Sequence, residues 1–486
     1  MITEEIITSI PKGWTIAELR DIVELSKEKV NPIVIDREPY IGLEHIEKDT
    51  GKLLGYSFSD EVRSTKNKFY KGDLLYGKLR PYLNKVMVAP FDGVCSTDIL
   101  VFSKNSHVSN DFIAYRLRCN DFVRFASLNV SGVQHPRVDF QTLSKFTIVL
   151  PPLTEQHRIV AKIEELFSYL DAGVAPLKKA KAQLKLYRQA VLKAAFEGRL
   201  TAAWREAHKS EIEPSSVTLA KIREGKASGR KARAHKPETS INTLGLAELP
   251  ETWSWALLPD LGELNRGKSK HRPRNDPKLF GGDYPFIQTG DIRKAEIIKE
   301  YSQTYNDFGL KQSRLWPENT LCITIAANIA ETAILGIKAC FPDSIVGFIA
   351  DERLCLVKYI HYFFKLAKQK LDYYAPATAQ KNINLGTLYG VIVPLPSLAE
   401  QEQIVRELDY LFSLTDTIEK TIELNFAQSE KLRQSILKKA FRGELVPQNP
   451  SDEPASVLLE RIKKEKDAQA SGGRRRGAGK RSAKLW

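Results

Sequence analysis

Two stretches of the chain place apolar residues at the three-four spacing of a helical seam, and the long segments ahead of them alternate apolar and polar positions over short runs. In the first stretch the seam is Ile159, Ile163, Leu166, Leu170, Leu177, Ala180, Leu184, Tyr187, Val191 and Ala194, a spacing that lets one helix bury a continuous stripe against another. Gly173 and Pro176 fall inside it, so a kink or a break is expected there. The second stretch keeps the period through Ile404, Leu408, Leu411, Ile418, Ile422, Leu432 and Ile436, with Thr415, Asn425 and Ser429 as polar seam positions and no proline. An unbroken helix from Ala399 to Phe441 would be about 64 Å long, far beyond a typical globular helix. In the segments between, runs such as "GDLLYGKL", "KVMVAP", "DILVFS" and "KFTIVLP" predict strands, and "DFIAYRLRCNDFVRFA" predicts helix.

The chain is written twice. "LPPLTEQHRIVAKIEELFSYLD" from Leu150 matches "LPSLAEQEQIVRELDYLFSLTD" from Leu395, and the same offset carries "YRQAVLKAAFEGRL" onto "LRQSILKKAFRGEL". A third block, "PSSVTLAKIREGK" from Pro214, resembles "PASVLLERIKKEK" from Pro454, and the entries "IPKGWTIAELRDIVEL" and "LPETWSWALLPDLGEL" correspond. The organisation this predicts is a globule over 1–150, a helical region over 151–204, a basic linker over 205–245, a second globule over 246–395, a second helical region over 396–445 and a basic tail over 446–486. The globules diverge while the helical regions stay alike, so one scaffold carries two different α/β (α+β) units.

Composition refines this picture. The 486 residues suffice for several cores. No run of eighteen apolar residues and no signal-peptide centre occurs, which predicts a soluble, cytoplasmic protein with no membrane partner. Cys95, Cys119, Cys322, Cys340 and Cys355 are far apart and never paired as C-x-x-C, which predicts buried, reduced thiols rather than a metal site or disulfides. The net charge of +14 is concentrated: residues 221–236 contribute a surplus of +6 and residues 461–486 a surplus of +8. Both segments read as flexible basic tails able to touch phosphates, with solvated charge as the other reading.

Taken together, "PPLTEQHRIV" with "PSLAEQEQIV", "RQAVLKAAFEGRLTAAW" with "RQSILKKAFRGEL", "ASVLLERIKKEK", and "GDLLYGKLRPYLNKV" followed by "CSTDILVF" make the chain resemble the specificity subunits of type I restriction-modification enzymes, almost end to end. The resemblance implies a non-catalytic reader of double-stranded DNA in which two target-recognition domains each read half of a split, asymmetric site. It implies two methyltransferase subunits docked on the helical regions, and motor-nuclease subunits joining them. No cofactor is implied for this chain; S-adenosylmethionine, ATP and Mg2+ would belong to the partner subunits. Near-identical helical regions can pair antiparallel as a coiled coil, which would place the two globules at opposite ends.

Several loops offer suitable chemistry for DNA. "YGKLRPYLNK" presents Lys78, Arg80, Asn84 and Lys85 around a proline turn, and "SGVQHPRV" presents Ser131, Gln134, His135 and Arg137. The counterpart of the latter, "TAQKNI", presents Thr378, Gln380, Lys381 and Asn382. Amide side chains can pair with adenine and arginine with guanine. "GLEHI" and "QTGDI" offer Glu44 and His45, and Gln288, Thr289 and Asp291, with local backbone capping as the alternative. Thr324 and Asn328 stand where the first copy has Lys78 and Tyr82. "GELNRGKS", Gly262 to Ser269, fits a phosphate-binding loop, yet Pro273 and Pro277 fall where its helix must begin and the repeat counterpart lacks the glycines. Arg266, Lys268, Ser269, Lys270, Arg272 and Arg274 read better as a basic loop along DNA phosphates. Phe167, Phe196, Phe412 and Phe441 are candidates for the partner-binding face, with core packing as the alternative. A self-contained methyltransferase would need an N-P-P-[FY] or D-P-P-Y element, which is absent, and a purely structural coiled coil gives two divergent globules no purpose.

Overall fold

The computed structural model describes residues 10–32, 36–228, 247–325, 330–368 and 384–481. The chain divides into two compact units, Met1–Leu177 with Glu423–Trp486, and Lys178–Ile422. Among the described residues the helices of eight or more residues are α1 (Asn110–Leu117), α2 (Asn120–Leu128), α3 (Leu153–Phe196), α4 (Ser215–Ser228), α5 (Val357–Ala367), α6 (Leu398–Ala440) and α7 (Ala455–Arg481). Helices α3 and α6, of 44 and 43 residues, each contribute one part to each unit.

In the first unit the opening strand Thr15–Glu18 pairs antiparallel with the closing strand Thr147–Leu150. Between them lie a five-stranded mixed sheet and a three-stranded antiparallel sheet of Val86–Val88, Leu74–Gly77 and Ile99–Phe102. The three-stranded sheet is buried on both faces. Leu75, Met87, Ile99 and Val101 enter one core, while Leu74, Tyr76, Val86 and Phe102 enter another with α1 and α2 residues such as Phe112 and Phe122. Period-two alternation therefore distributes apolar side chains between two cores, which is why these strands read as continuous apolar runs. The second unit repeats the plan: Ser254–Leu257 pairs with Ile392–Leu395, around a five-stranded sheet ordered Gly262–Arg266, Ile345–Ala350, Leu321–Thr324, Thr332–Leu335 and Ile297–Ile298.

The glutamate and glutamine shared by the two junction motifs are buried and tie globule to helix in the same way in each unit. Trp14 Nε1 donates to Glu155 at 3.0 Å, and Gln156 accepts from Ser109 N at 2.9 Å and donates to Pro151 O at 2.9 Å. Trp253 Nε1 donates to Glu400 at 2.8 Å, and Gln401 accepts from Leu356 N at 2.9 Å and donates to Leu354 O at 2.9 Å. Only Glu400 has a cation, Arg205, at 2.8 Å, and a hydroxyl, Thr201, at 2.7 Å.

Within each unit the two long helices run antiparallel. In the first, Arg158 pairs with Asp452 and Asp171 with Arg433; in the second, Thr201 meets Glu400 while Arg188 meets Thr415 at 3.0 Å and Asp416 at 2.5 Å. The polar seam position Thr415 is thus buried because it receives the Arg188 guanidinium. The expected break does not form: α3 continues through Gly173 and Pro176. Ala172, Gly173 and Pro176 lie on the exposed face, where water can satisfy the carbonyl that proline leaves without a donor.

The stretches expected as basic linker and tail each contain a helix among their described residues, and residues 229–236 of the first basic segment lie outside them. In α4, Leu219 is buried and Ser215 N donates to Thr252 O at 3.1 Å; in α7, Leu458, Leu459 and Ile462 are buried and Ala455 N donates to Gly13 O at 2.9 Å. The third repeat block of each copy therefore packs on the entry segment of the other copy. All five cysteines are buried free thiols, and burial pushes Cys95 and Cys119 up to about 12.

Candidate nucleic-acid interface

In the first unit, two of the loops singled out above come together. Ser131 and Arg137 exchange backbone hydrogen bonds at 2.8 and 2.9 Å, making a hairpin whose tip exposes Val133, Gln134 and His135. Arg80 N donates to Pro136 O at 2.7 Å and Val138 N to Lys78 O at 3.1 Å, so the Lys78–Asn84 loop lies against this hairpin. That loop makes a three-residue turn, Pro81–Leu83, flanked by Arg80 and Asn84 in the left-handed region at φ of +52° and +49°. Arg80 and Tyr82 are exposed.

A third element, the Ser96–Asp98 turn, closes the cluster: Lys78 N donates to Asp98 O at 2.9 Å. The Asp98 carboxylate receives Arg137 Nε at 2.8 Å and Nη2 at 3.0 Å. Hydrogen bonding from Arg137, with the charges of Arg137, Lys78 and His135 behind it, holds Asp98 below its ordinary range. Nothing in the local sequence marks Asp98, since its partner is 39 residues away. The Leu43–His45 turn packs nearby; His45 Nδ1 accepts from Gly42 N at 3.0 Å, and Glu44 is exposed.

Two candidates in this loop take a structural place instead. Asn84 is buried and donates to Arg118 O at 3.3 Å, and Lys85 donates from Nζ to Leu43 O at 2.6 Å. Their donors are taken up by carbonyls that fix the loops, which removes them from the exposed set.

In the second unit, Thr378, Gln380, Lys381, Asn382 and Asn328 lie outside the described residues. Thr324 is buried in its strand and its hydroxyl accepts from Glu331 N at 3.1 Å. Gln288 is exposed, with its amide donating to Gln303 at 2.6 Å; Thr289 opens a four-residue helix in which Asp291 accepts from Gln288 N at 3.0 Å. Asp291 is therefore a cap.

The first five residues of the phosphate-loop look-alike are a strand, and Gly267–Ser269 follow it without regular structure. Gly262–Arg266 pairs antiparallel with Val346–Ala350, and no helix starts at Lys268–Ser269. Lys268 and Lys270 are exposed. Three arginines converge on the Pro342–Asp343 turn: Arg266 Nε bonds Asp343 O, Arg274 pairs with the Asp343 carboxylate at 2.6 Å, and Arg272 Nη2 lies at 3.8 Å from it. Ser269 is buried, so it packs rather than contacts.

The four phenylalanines also belong to packing. Phe196 is buried against Tyr359 and Phe363, and Phe441 stacks edge-on against Phe112 at 5.1 Å. Phe167 lies under the Arg433 guanidinium at 4.7 Å, and Phe412 meets Tyr362 at 5.5 Å. The exposed apolar side chains on the long helices include Tyr169, Leu424 and Leu432 in the first unit and Leu186, Tyr410 and Leu414 in the second.

Two repeated mixed globules, each carrying exposed cationic and amide side chains and joined to long paired helices, are the organisation expected of a DNA-specificity protein. The chain belongs to the type I restriction modification DNA specificity domain family, which it matches over residues 11–183 and 250–425. As such it is the recognition component of its system and not the catalyst. It is 34% identical over 236 residues to the EcoDI specificity subunit of Escherichia coli, a match covering 47% of this chain and 53%, about half, of that relative. It is 26% identical over 509 residues to the EcoKI specificity subunit of Escherichia coli K12, covering 96% and 98% of the two chains. Its fold is shared, at a TM-score of 0.68 and 21% identity, with a solved chain from work on complex assembly and conformational transition of the type I R-M system, over 90% of this chain and 99% of that one.

Proposed function

We propose that the chain is the specificity subunit that directs a type I restriction-modification complex to a bipartite, asymmetric double-stranded DNA site, each globule reading one half. The observation that carries this is the meeting of Lys78, Arg80, Gln134, His135 and Arg137 on adjoining loops of one globule, while the corresponding globule offers a different set, Gln288, Thr289, Arg266, Lys268, Lys270, Arg272 and Arg274. Different readers call for different half-sites. The helical regions set the spacer and dock two methyltransferase subunits, to which motor-nuclease subunits add; the exposed Tyr410, Leu414 and Leu186 suit such docking better than the four buried or half-buried phenylalanines. S-adenosylmethionine, ATP and Mg2+ serve those partners, in the cytoplasm where the DNA is.

The test exchanges residues 1–150 for those of a relative and maps methylated positions genome-wide in a host supplying the partner subunits. One half of the methylated motif changes and the other stays. A change in both halves, or methylation independent of this chain, overturns the proposal.

A further inference from the structure

We infer that Asp98 is a specificity-determining positioning residue: it holds Arg137 so that the outer edge of the guanidinium reads one guanine in the half-site of the first globule. The inference rests on the DNA-reading role proposed above and goes beyond it by assigning one side-chain pair to one base pair.

The carboxylate engages the Nε–Nη2 edge of Arg137 fork to fork, at 2.8 and 3.0 Å. The other edge carries Nη1 and the second Nη2 hydrogen as another fork, and Nη1 also makes a long hydrogen bond, 3.4 Å, to the His135 carbonyl of the same hairpin. A guanidinium fork fits guanine O6 and N7. Arg137 remains 44% exposed while Asp98 is 22% exposed, so the pair sits with the arginine toward solvent and the carboxylate behind it. An arginine is rotamer-rich, and fixing one edge on a carboxylate removes freedom that binding would otherwise have to remove.

Charge separates this arginine from its neighbours. A phosphate approaching Arg137 meets the Asp98 carboxylate as well, which cancels most of the attraction; a neutral base edge meets only directed donors. Arg80 on the adjoining loop, exposed and with no carboxylate contact formed by its side chain among the described residues, suits a phosphate, which fixes register without reading sequence. Asp98 is itself placed by two backbone bonds, its N–H to Ser96 Oγ at 3.2 Å and its carbonyl from Lys78 N at 2.9 Å, so the turn, the basic loop and the hairpin form one rigid support.

The experiment expresses the full chain with its methyltransferase partners and maps the methylated motif genome-wide for wild type, Asp98→Asn, Arg137→Lys, the Asp98→Asn/Arg137→Lys double variant and the conservative Asp98→Glu. Expected is relaxation at one G·C position of the first globule's half-site, with discrimination there reduced on the order of tenfold in both single variants. No further loss is expected in the double variant, partial recovery is expected in Asp98→Glu, and the other half-site stays unchanged. A merely structural brace would instead lower methylation at every site with the motif intact, and that result overturns the inference while leaving the two-reader function standing. A wild-type chain that directs no split motif overturns both. Should Asp98→Asn not accumulate, Arg137→Lys, at an exposed hairpin, reads the same position alone, and an unrelaxed motif there is equally decisive.

Discussion

The two buried junction glutamates do the same geometric task with different electrostatics, so removing them should cost different amounts. Glu400→Ala leaves the Arg205 guanidinium, 16% exposed, without its carboxylate, and leaves Trp253 Nε1 and the Thr201 hydroxyl without an acceptor. Breaking a buried ion pair from one side typically costs about 3–5 kcal/mol. Glu155→Ala strands only Trp14 Nε1, since the other Glu155 oxygen has no partner, and one unsatisfied buried donor costs about 1–3 kcal/mol. Replacement by glutamine sharpens the contrast. Glu400→Gln should still cost about 2 kcal/mol through the weakened bond to Arg205, whereas Glu155→Gln should be close to neutral. Burial raises the Glu155 carboxyl above its ordinary value, outweighing the Trp14 hydrogen bond that lowers it. The folded protein therefore holds that proton more tightly than the unfolded chain. Its contribution to stability is present below the ordinary carboxylate range and is lost as pH rises from there through the raised folded value; Glu155→Gln should flatten this dependence. Urea unfolding of the full chain gives the totals, and hydrogen exchange resolved by peptide assigns the loss to one unit, since two units need not unfold together. Equal costs for the two alanine variants, or a costless Glu400→Gln, would refute the reasoning.

Gly198→Ala and Gly443→Ala should each destabilise by about 1–3 kcal/mol in thermal melts, because both glycines have left-handed backbone, at φ of +74° and +75°, and a Cβ would come within 2.4 Å of Pro250 and Pro11 respectively. Truncation before Ala455 should unfold the first unit, seen as loss of exchange protection around Trp14, by removing Leu458, Leu459 and Ile462 from its core. Truncation after Asp467 should leave the melt unchanged but flatten the salt dependence of DNA affinity, since it removes Arg474, Arg475, Arg476, Lys480, Arg481 and Lys484. Arg433→Ala should cost more than Arg188→Ala in the same melts, about 2 against less than 1 kcal/mol, because Arg433 is 12% exposed, stacked over Phe167 and paired with Asp171, whereas Arg188 is 31% exposed beside acids that reach water.

What was legible in the sequence was what repeats with a period. The three-four seam fixed both long helices, and the runs "LLYG", "VMV", "ILVF" and "TIVL" became strands at Leu74–Gly77, Val86–Val88, Ile99–Phe102 and Thr147–Leu150. Period gives an apolar stripe, but not what covers it: Phe196 and Phe441 look like surface on a helix drawn alone and are covered by the globules that the same chain builds. Pro176 does not end the helix for a related reason, since a helix held by packing on other faces tolerates one lost hydrogen bond that solvent can replace.

The candidate site divides along the same line. Residue type and loop position found Lys78, Arg80, Gln134, His135 and Arg137, which the backbone pairing of Arg80 with Pro136 and of Lys78 with Val138 brings together. The same criteria accepted Asn84 and Lys85, whose donors are taken by backbone carbonyls, and Ser269, which is buried, because composition cannot distinguish a donor aimed outward from one aimed inward. Asp98 failed the criteria from the other side: an acid on a basic surface looks like noise until its fork is seen to match that of Arg137. An exposed arginine supplies affinity to any phosphate, whereas an arginine fixed by a carboxylate gives up part of that affinity and gains direction. On the reading proposed here, the acid in the basic cluster is the residue that turns attraction for DNA into preference for a sequence.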